Sequence, residues 1–278
     1  MLFFDKGGIS VELKEIWGID VSEHNGTVDF VTMKEDGFDF VIIRAGYGRY
    51  YTDPKFYENY KKAKEAGLKV GAYWFSYATD ESKAIEEAHY CYNVVKSCQL
   101  DLPVFFDYEY DSVRYADDNG VTVTKQKVEN WTAKFCDVIR EYGISSGFYF
   151  NYDFYCEYYY DLCEVDNTNY KWYAQYTNPN DPLVPTNHFD LIQYTSKPFD
   201  KNYSNSKVFL DLFKEEEIPV GDYEDRIYNS VEDCPDWAKD AIQYMVDNKY
   251  ILGVGGGKLA LTYDMLRIYV TLYRAGVI

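Results

Sequence analysis

Residues 40–75, FVIIRAGYGRYYTDPKFYENYKKAKEAGLKVGAYWF, contain two apolar runs on either side of a charged stretch. The runs, Phe40–Ala45 and Val70–Phe75, have the β-branched and aromatic composition of buried strands. Between them, Asp53-Pro54 provides a cap and a first-turn proline for a helix that ends at Gly67. The order strand, helix, strand predicts two parallel strands joined by a crossover helix.

The same alternation continues along the chain until about residue 164. Five strand–helix pairs are predicted, and three further strands follow them without intervening helices. No GxGxxG or GxxxxGK motif follows any strand, so a nucleotide-binding fold is not indicated. Eight strands suit closure into a barrel better than an open sheet. The sequence therefore predicts an α/β fold, an irregular TIM-like barrel over residues 1–214, with strands at Trp17–Val21, Phe40–Ala45, Val70–Phe75, Pro103–Glu109, Gly147–Phe150, Lys171–Tyr176, Phe189–Tyr194 and Lys207–Phe213.

The last quarter of the chain differs from the barrel in its pattern. Residues 215–221 read as a linker, and residues 222–278 as a small α-helical module with helices beginning near Pro235 and Thr262. Two helices bury too little surface to be stable by themselves. We therefore expect the module to dock on the barrel or on a copy of itself, which would make a homo-oligomer.

Charge and hydropathy restrict the partners of the chain. Its 278 residues include 28 Lys+Arg and 46 Asp+Glu, a formal net charge of −18 that disfavours nucleic acid and anionic membranes. No uncharged apolar window approaches the roughly 20 residues of a membrane span. The apolar run Leu2–Phe4 is far shorter than the roughly 7–15 residues of a signal-peptide core. We therefore expect synthesis in the cytoplasm without a signal peptide.

Cysteine, histidine and tyrosine counts add two expectations. The 6 cysteines form no CxxC pair and, with only 3 histidines, match no metal-binding spacing, so we expect free thiols and neither metal nor cofactor. The 31 tyrosines offer faces on which sugar rings stack, although codon bias explains such an excess equally well.

The clearest chemical motif is the sequence FFDYE at residues 105–109, in which two acids stand two residues apart at the end of an apolar strand. Alternate side chains share one face of a strand, so Asp107 and Glu109 point the same way, about 6–7 Å apart at their Cα atoms. In a barrel this face is the interior, and the carboxyl ends of the strands form the catalytic rim. Two close carboxylates in a partly dry site raise the pKa of one of them, as glycoside hydrolysis requires. The alternative is a pair of solvated acids that close a strand.

Two further acids support a catalytic site. Asp20 ends the first predicted strand and Asp211 the eighth. Because barrel closure makes these strands neighbours, we expect Asp20 and Asp211 to meet across the seam, opposite Asp107 and Glu109. The four acids would then line a cup.

The same segments resemble glycoside hydrolase family 25, the bacterial and phage N-acetylmuramidases or lysozymes. The resemblance extends over residues 17–213 in the correct order. It implies a barrel of five strand–helix pairs and three further strands that cleaves the β-1,4 bond between N-acetylmuramic acid and N-acetylglucosamine in peptidoglycan. The motifs that carry it are GIDVSEHNG (18–26), FVIIRAGYG (40–48), AGLKVGAYWF (66–75), LPVFFDYE (102–109) and QYT (193–195).

The resemblance also implies roles for individual residues. Glu109 corresponds to the general acid of the family, and Asp107, Asp20 and Asp211 to its supporting carboxylates. The chain departs from the family in having Ile192 in place of the Trp before the Gln, and Phe213 in place of the Asn two residues after the last Asp. The residues that fall where the family lines its groove are Tyr73, Tyr149, Trp172, Tyr176 and Gln193.

The pattern leaves the mechanism open between a direct nucleophile, inversion, and attack by the acetamido group of the substrate, which we favour. Direct attack needs carboxyls about 5–5.5 Å apart and inversion about 6.5–9.5 Å. A chitinase is a weaker alternative, since its motif has a further Asp where this chain has Phe105.

Two non-enzymatic alternatives are a sugar-binding barrel that has lost its chemistry and a structural wall-anchoring protein. The retention of all four acids argues against the first, and a single module without repeats gives little support for the second. The C-terminal module resembles short tails of cell-wall hydrolases, which favours wall targeting or assembly, with a packing appendage as the alternative. Without a signal peptide, the enzyme would reach the wall by phage holin release or by another export route.

Overall fold

The computed structural model describes residues 15–159, 169–176, 189–197, 199–213 and 226–274. The chain divides into two compact units, residues 1–213 and 214–278. The predicted linker, residues 215–221, lies outside the described residues.

The first unit is a closed barrel, and the predicted five strand–helix pairs are present. Its elements are β1 (Ile16–Val21), α1 (Phe30–Glu35), β2 (Phe40–Tyr47), β3 (Tyr51–Thr52), α2 (Phe56–Glu65), β4 (Lys69–Phe75), α3 (Glu81–Val95), β5 (Val104–Asp107), α4 (Tyr110–Asp118), α5 (Lys125–Glu141), β6 (Ser146–Asn151), α6 (Tyr152–Tyr158), β7 (Tyr170–Ala174), β8 (Leu191–Thr195) and β9 (Asp200–Ser204).

Eight of these strands close the barrel in the order β1-β9-β8-β7-β6-β5-β4-β2, and β2 pairs with β1. The pairs β1–β2, β2–β4, β4–β5, β5–β6, β6–β7 and β7–β8 are parallel. Strand β9 runs antiparallel to both of its neighbours, β8 and β1. The two-residue strand β3 adds an antiparallel edge to β2. The predicted α/β barrel is therefore confirmed, with one reversed strand.

Strand alternation separates two apolar cores. On β5, Val104 and Phe106 belong to the core between the barrel and its helices, whereas Phe105 belongs to the core inside the barrel. The period of two then directs Asp107 to the barrel interior. The same alternation places Asp20, on β1, on the face of the interior residue Ile16.

The prediction of a last strand at Lys207–Phe213 is wrong. This segment forms the short helix α7 (Lys207–Leu210) and a 3-10 turn, Asp211–Phe213. Phe209 and Leu210 are buried inside the barrel at the amino ends of the strands, where the Phe209 ring contacts those of Phe40 and Tyr170 at centroid distances of 5.9 Å. The apolar run reads as a strand in sequence, but its burial is achieved by a helical plug.

The second unit has its own small core. Its helices are α8 (Asp236–Asp247) and α9 (Tyr263–Arg274), as the sequence predicts to within a residue or two. An isolated bridge between Tyr228 and Leu261 joins the segments before and between the helices, and both side chains are buried in the core. The helices therefore bury apolar surface against these flanking segments as well as against each other. In the part of the chain that the structure describes, every helix is too short or too polar to cross a membrane.

Candidate active site

Asp107 and Glu109 lie together at the carboxyl end of β5. Asp107 is the last residue of the strand and is buried. Glu109 precedes α4 in an extended conformation (φ −129°, ψ −172°), so the alternation of the strand continues to this residue. Tyr108 points the other way and donates a hydrogen bond to the carbonyl oxygen of Ala78 (3.2 Å). The predicted shared face of the two acids is thus present in the structure.

The two carboxyl groups interact closely enough to share a proton. Burial, and then the charge of Glu109, raise the pKa of Asp107 well above its usual range. Burial raises the pKa of Glu109 as well, while a hydrogen bond with Asp107 lowers it. The raised pKa values favour one proton shared between the two carboxyl groups in the free protein. Among the described residues, no N–H or O–H group donates to the buried Oδ1 of Asp107, which leaves an acceptor for a ligand.

Asp20 lies across the barrel interior, held by two amides. Its Oδ2 accepts hydrogen bonds from Asn202 Nδ2 (2.8 Å) and Gln193 Nε2 (2.9 Å). Burial, followed by the charge of Asp200, raises the pKa of Asp20 to about 7. Asp20 therefore titrates near neutral pH while its position stays fixed.

The fourth carboxylate of the cup is Asp200, and the expectation that Asp211 meets Asp20 is wrong. Asp200 begins β9 and is the register partner of Asp20. Because β9 is antiparallel, its first residue lies at the same rim as the last residues of the parallel strands. Burial raises the pKa of Asp200. Its charge contributes to raising the pKa of both Asp20 and Glu109.

Asp211 lies at the other end of the barrel. It is exposed, and its charge contributes to the raised pKa of Tyr170, the first residue of β7. The next residue, Leu212, accepts a hydrogen bond through its carbonyl oxygen from Lys69 Nζ (2.9 Å), at the amino end of β4. The sequence did contain a signal: an Asn, Asn202, stands two residues after Asp200, whereas Phe213 occupies the corresponding position after Asp211.

The predicted groove residues divide into supporting and exposed side chains. Gln193 Oε1 accepts hydrogen bonds from the hydroxyls of Tyr149 (3.1 Å) and Tyr176 (3.0 Å). Trp172 Nε1 donates to Asn202 Oδ1 (2.8 Å), and its ring contacts that of Tyr73. Trp172 and Tyr149 are buried, whereas Tyr176 is 60% exposed. The buried residues therefore orient the amides that hold Asp20, and Tyr176 offers a free ring.

Arg44 is a site residue that the sequence analysis did not single out. It lies on β2, where its Nε donates a hydrogen bond to Asp53 Oδ2 (2.8 Å) and one Nη donates to Glu23 Oε1 (2.7 Å). Its positive charge lowers the pKa of Asp107, against the larger effect of burial. The sequence could have indicated Arg44, because it stands two residues after the interior residue Ile42 and near the end of β2. A cation buried there needs acidic partners.

Metal binding receives no support from the described residues, which contain no group of three or more His, Cys, Asp or Glu side chains arranged to hold an ion.

A barrel whose rim carries paired, buried carboxyl groups with raised pKa values is the arrangement of a glycoside hydrolase. Residues 19–203 match the sequence profile of the family described as "Glycosyl hydrolases family 25". The chain belongs to this family.

Individual relatives agree with this assignment. The autolytic lysozyme of Clostridium acetobutylicum is 38% identical over 92 residues, which are 33% of this chain and 28% of the relative. The catalytic domain of an endolysin from a Listeria monocytogenes bacteriophage is 26% identical with a TM-score of 0.57, covering 71% of this chain and 96% of that domain. A family 25 lysozyme of Aspergillus fumigatus, 21% identical, has the same fold with a TM-score of 0.59 over 72% of this chain and 98% of its own. In the curated relatives, by contrast, the matched segments span under a third of each protein's length.

Proposed function

We propose that this chain is a lysozyme that hydrolyses the β-1,4 bond between N-acetylmuramic acid and N-acetylglucosamine in peptidoglycan, at the bacterial cell wall. The observation that carries the proposal is the Asp107–Glu109 pair, which retains a proton in a buried cup beside Asp20 and Asp200. A sugar-binding barrel without chemistry would have no need to keep four repelling acids together at this cost.

Glu109 is the proposed general acid. In the free protein the pair shares its proton within the hydrogen bond that joins the two carboxyls. A substrate acetamido N–H that donates to Asp107 stabilises its ionised form, so the proton moves to Glu109. Binding of the correct sugar thereby places the proton on the residue that faces the glycosidic oxygen.

Hydrolysis then follows in two steps. Glu109 protonates the leaving oxygen while the acetamido oxygen attacks the anomeric carbon, breaking the glycosidic bond and forming an oxazolinium ring whose N–H is held by Asp107. Glu109, now ionised, takes a proton from water as the water opens the ring at the anomeric carbon. Both steps invert that carbon, so the product retains the β configuration, and Glu109 ends protonated as it began.

The product of wall digestion tests the proposal. Purified peptidoglycan treated with the protein should lose turbidity and release muropeptides that carry N-acetylmuramic acid at the reducing end, read by mass spectrometry after borohydride reduction. Release of fragments with reducing N-acetylglucosamine would indicate a glucosaminidase, and release of peptides alone would reject glycoside hydrolysis.

We propose that the C-terminal module directs the enzyme to intact walls or organises it there. All four acids of the cup precede residue 214, so the module contributes none of them. A chain truncated after Glu217 should hydrolyse soluble glycan fragments at nearly the full rate but bind and lyse whole walls much more weakly, because it loses local concentration at the surface. The melting temperature of the barrel provides the control: a parallel loss of stability and of both activities would show a packing role instead.

A further inference from the structure

A tyrosine-lined pocket of about 700 Å³ lies beside the proposed active site. The turn between β2 and β3 forms one wall, and residues that follow β4, lie on α3 and lie at α4 form the other. Among the described residues that line it, none is an acid of the cup. Five are tyrosines: Tyr47, Tyr50, Tyr51, Tyr77 and Tyr115. We call it the Tyr50 pocket.

Four rings of the Tyr50 pocket pack against one another. Tyr47 and Tyr51 stack with centroids 4.1 Å apart, and Tyr77 contacts Tyr47 edge-on at 6.1 Å and Tyr115 at 5.1 Å. The guanidinium of Arg44 lies 5.5 Å from the Tyr47 ring centroid. The charges of Arg44 and Asp107 both act on Tyr77, so this wall of the pocket lies near the cup.

Tyr50 is in a backbone conformation that its side chain disfavours. Its φ is +76°, in the left-handed region where glycine or asparagine is usual, and the residue is 67% exposed. A bulky residue at positive φ is strained, because its Cβ crowds the backbone. An exposed ring returns little of this through packing, although its edge contacts Tyr90 (5.4 Å between centroids). Such strain at an exposed aromatic residue indicates a binding role.

The charges around the Tyr50 pocket favour an uncharged polar ligand. Arg49 pairs with Glu86 (3.0 Å) and Lys83 with Asp80 (3.4 Å), so the cations at its rim are already neutralised. Glu87 is buried, and its Oε1 accepts the backbone N–H of Tyr77 (3.1 Å). Its buried Oε2 has no hydrogen-bond partner among the described residues. Aromatic faces with a few polar groups between them suit the apolar face and hydroxyls of a pyranose ring.

We propose that the Tyr50 pocket binds a sugar unit of the glycan strand outside the two units joined by the cleaved bond, with the Tyr50 ring as its stacking surface. This inference rests on the proposed function, because it assumes a glycan substrate. In this role, the strained turn between β2 and β3 would make the enzyme bind long glycan strands more tightly than short glycan fragments.

Replacement of Tyr50 tests the proposal. Affinity is measured by calorimetry in the full chain carrying Glu109→Gln, with purified soluble glycan strands of at least six sugar units and with the disaccharide unit alone. Adding Tyr50→Gly should weaken binding of the long strands about tenfold, while binding of the disaccharide stays unchanged. The melting temperature should stay level or rise, because glycine relieves the strained φ. Tyr57→Ala, which removes an exposed tyrosine of α2, is the matched control and should leave both affinities unchanged.

The outcomes separate the subsite from the proposed function. Equal affinity of the parent and Tyr50→Gly proteins for long strands overturns the subsite, even if the native enzyme lyses walls. A selective loss for long strands supports the subsite even if wall digestion releases no muropeptides, since binding is measured without turnover. If Tyr50→Gly lowers the melting temperature, Tyr50→Asn, which also tolerates positive φ, provides the same comparison.

Discussion

Glu109→Gln should abolish most of the wall-lysing activity while the barrel remains folded. The glutamine side chain has nearly the same size but cannot supply a proton to the glycosidic oxygen. General acids contribute typically about 10²–10⁴-fold to the rate, and we expect a loss of turnover in this range on unactivated peptidoglycan. The measurement is the initial rate of muropeptide release, with the melting temperature as the check on folding. Near-wild-type lysis would reject Glu109 as the acid.

The neighbouring acid provides a contrasting variant. Asp107→Asn keeps the shape of the carboxyl group but removes the negative charge that stabilises the proposed oxazolinium ring. Turnover should fall much more than substrate affinity, because that charge is needed most after the bond begins to break. Equal losses in affinity and turnover would instead indicate a binding or structural role for Asp107.

The sequence predicted the barrel and three of the four cup acids because their signals are local. Asp107 and Glu109 follow an apolar strand, and Asp20 ends another, so alternation alone directs them inward. The prediction of the last strand was wrong for a physical reason. Its inward residues, Asp200 and Asn202, are polar because they line the site, so β9 lacks the apolar run that marks a strand.

Other features depend on contacts that are distant in sequence. The amides of Gln193 and Asn202 are 173 and 182 residues from Asp20, yet both bind its carboxylate. The apolar run of α7 is equally ambiguous in sequence, because a buried strand and a buried helical plug have the same composition. Only the position of Phe209 inside the closed barrel resolves the choice.

Asp20→Asn should stabilise the fold at neutral and alkaline pH while it lowers activity. Burial and the charge of Asp200 raise the pKa of Asp20 from 3.8 to about 7, so the folded state holds a proton that the unfolded chain has released. The free energy of unfolding therefore falls as the pH rises from about 4 to about 7. At about 1.4 kcal/mol per pH unit, the loss reaches about 4 kcal/mol. Asparagine has no such proton to lose.

Chemical denaturation at several pH values measures this difference. At pH 4 the two proteins should be similar in stability. Above pH 7 the Asp20→Asn variant should be the more stable by up to about 4 kcal/mol, because Asp200 then faces an uncharged amide. Asp211→Asn makes the same chemical change at the far end of the barrel and should leave lysis intact. Parallel stability curves for Asp20→Asn and the native chain would contradict the raised pKa. A stabilised variant with reduced lysis would show that the repulsion in the cup is kept for function at the expense of stability.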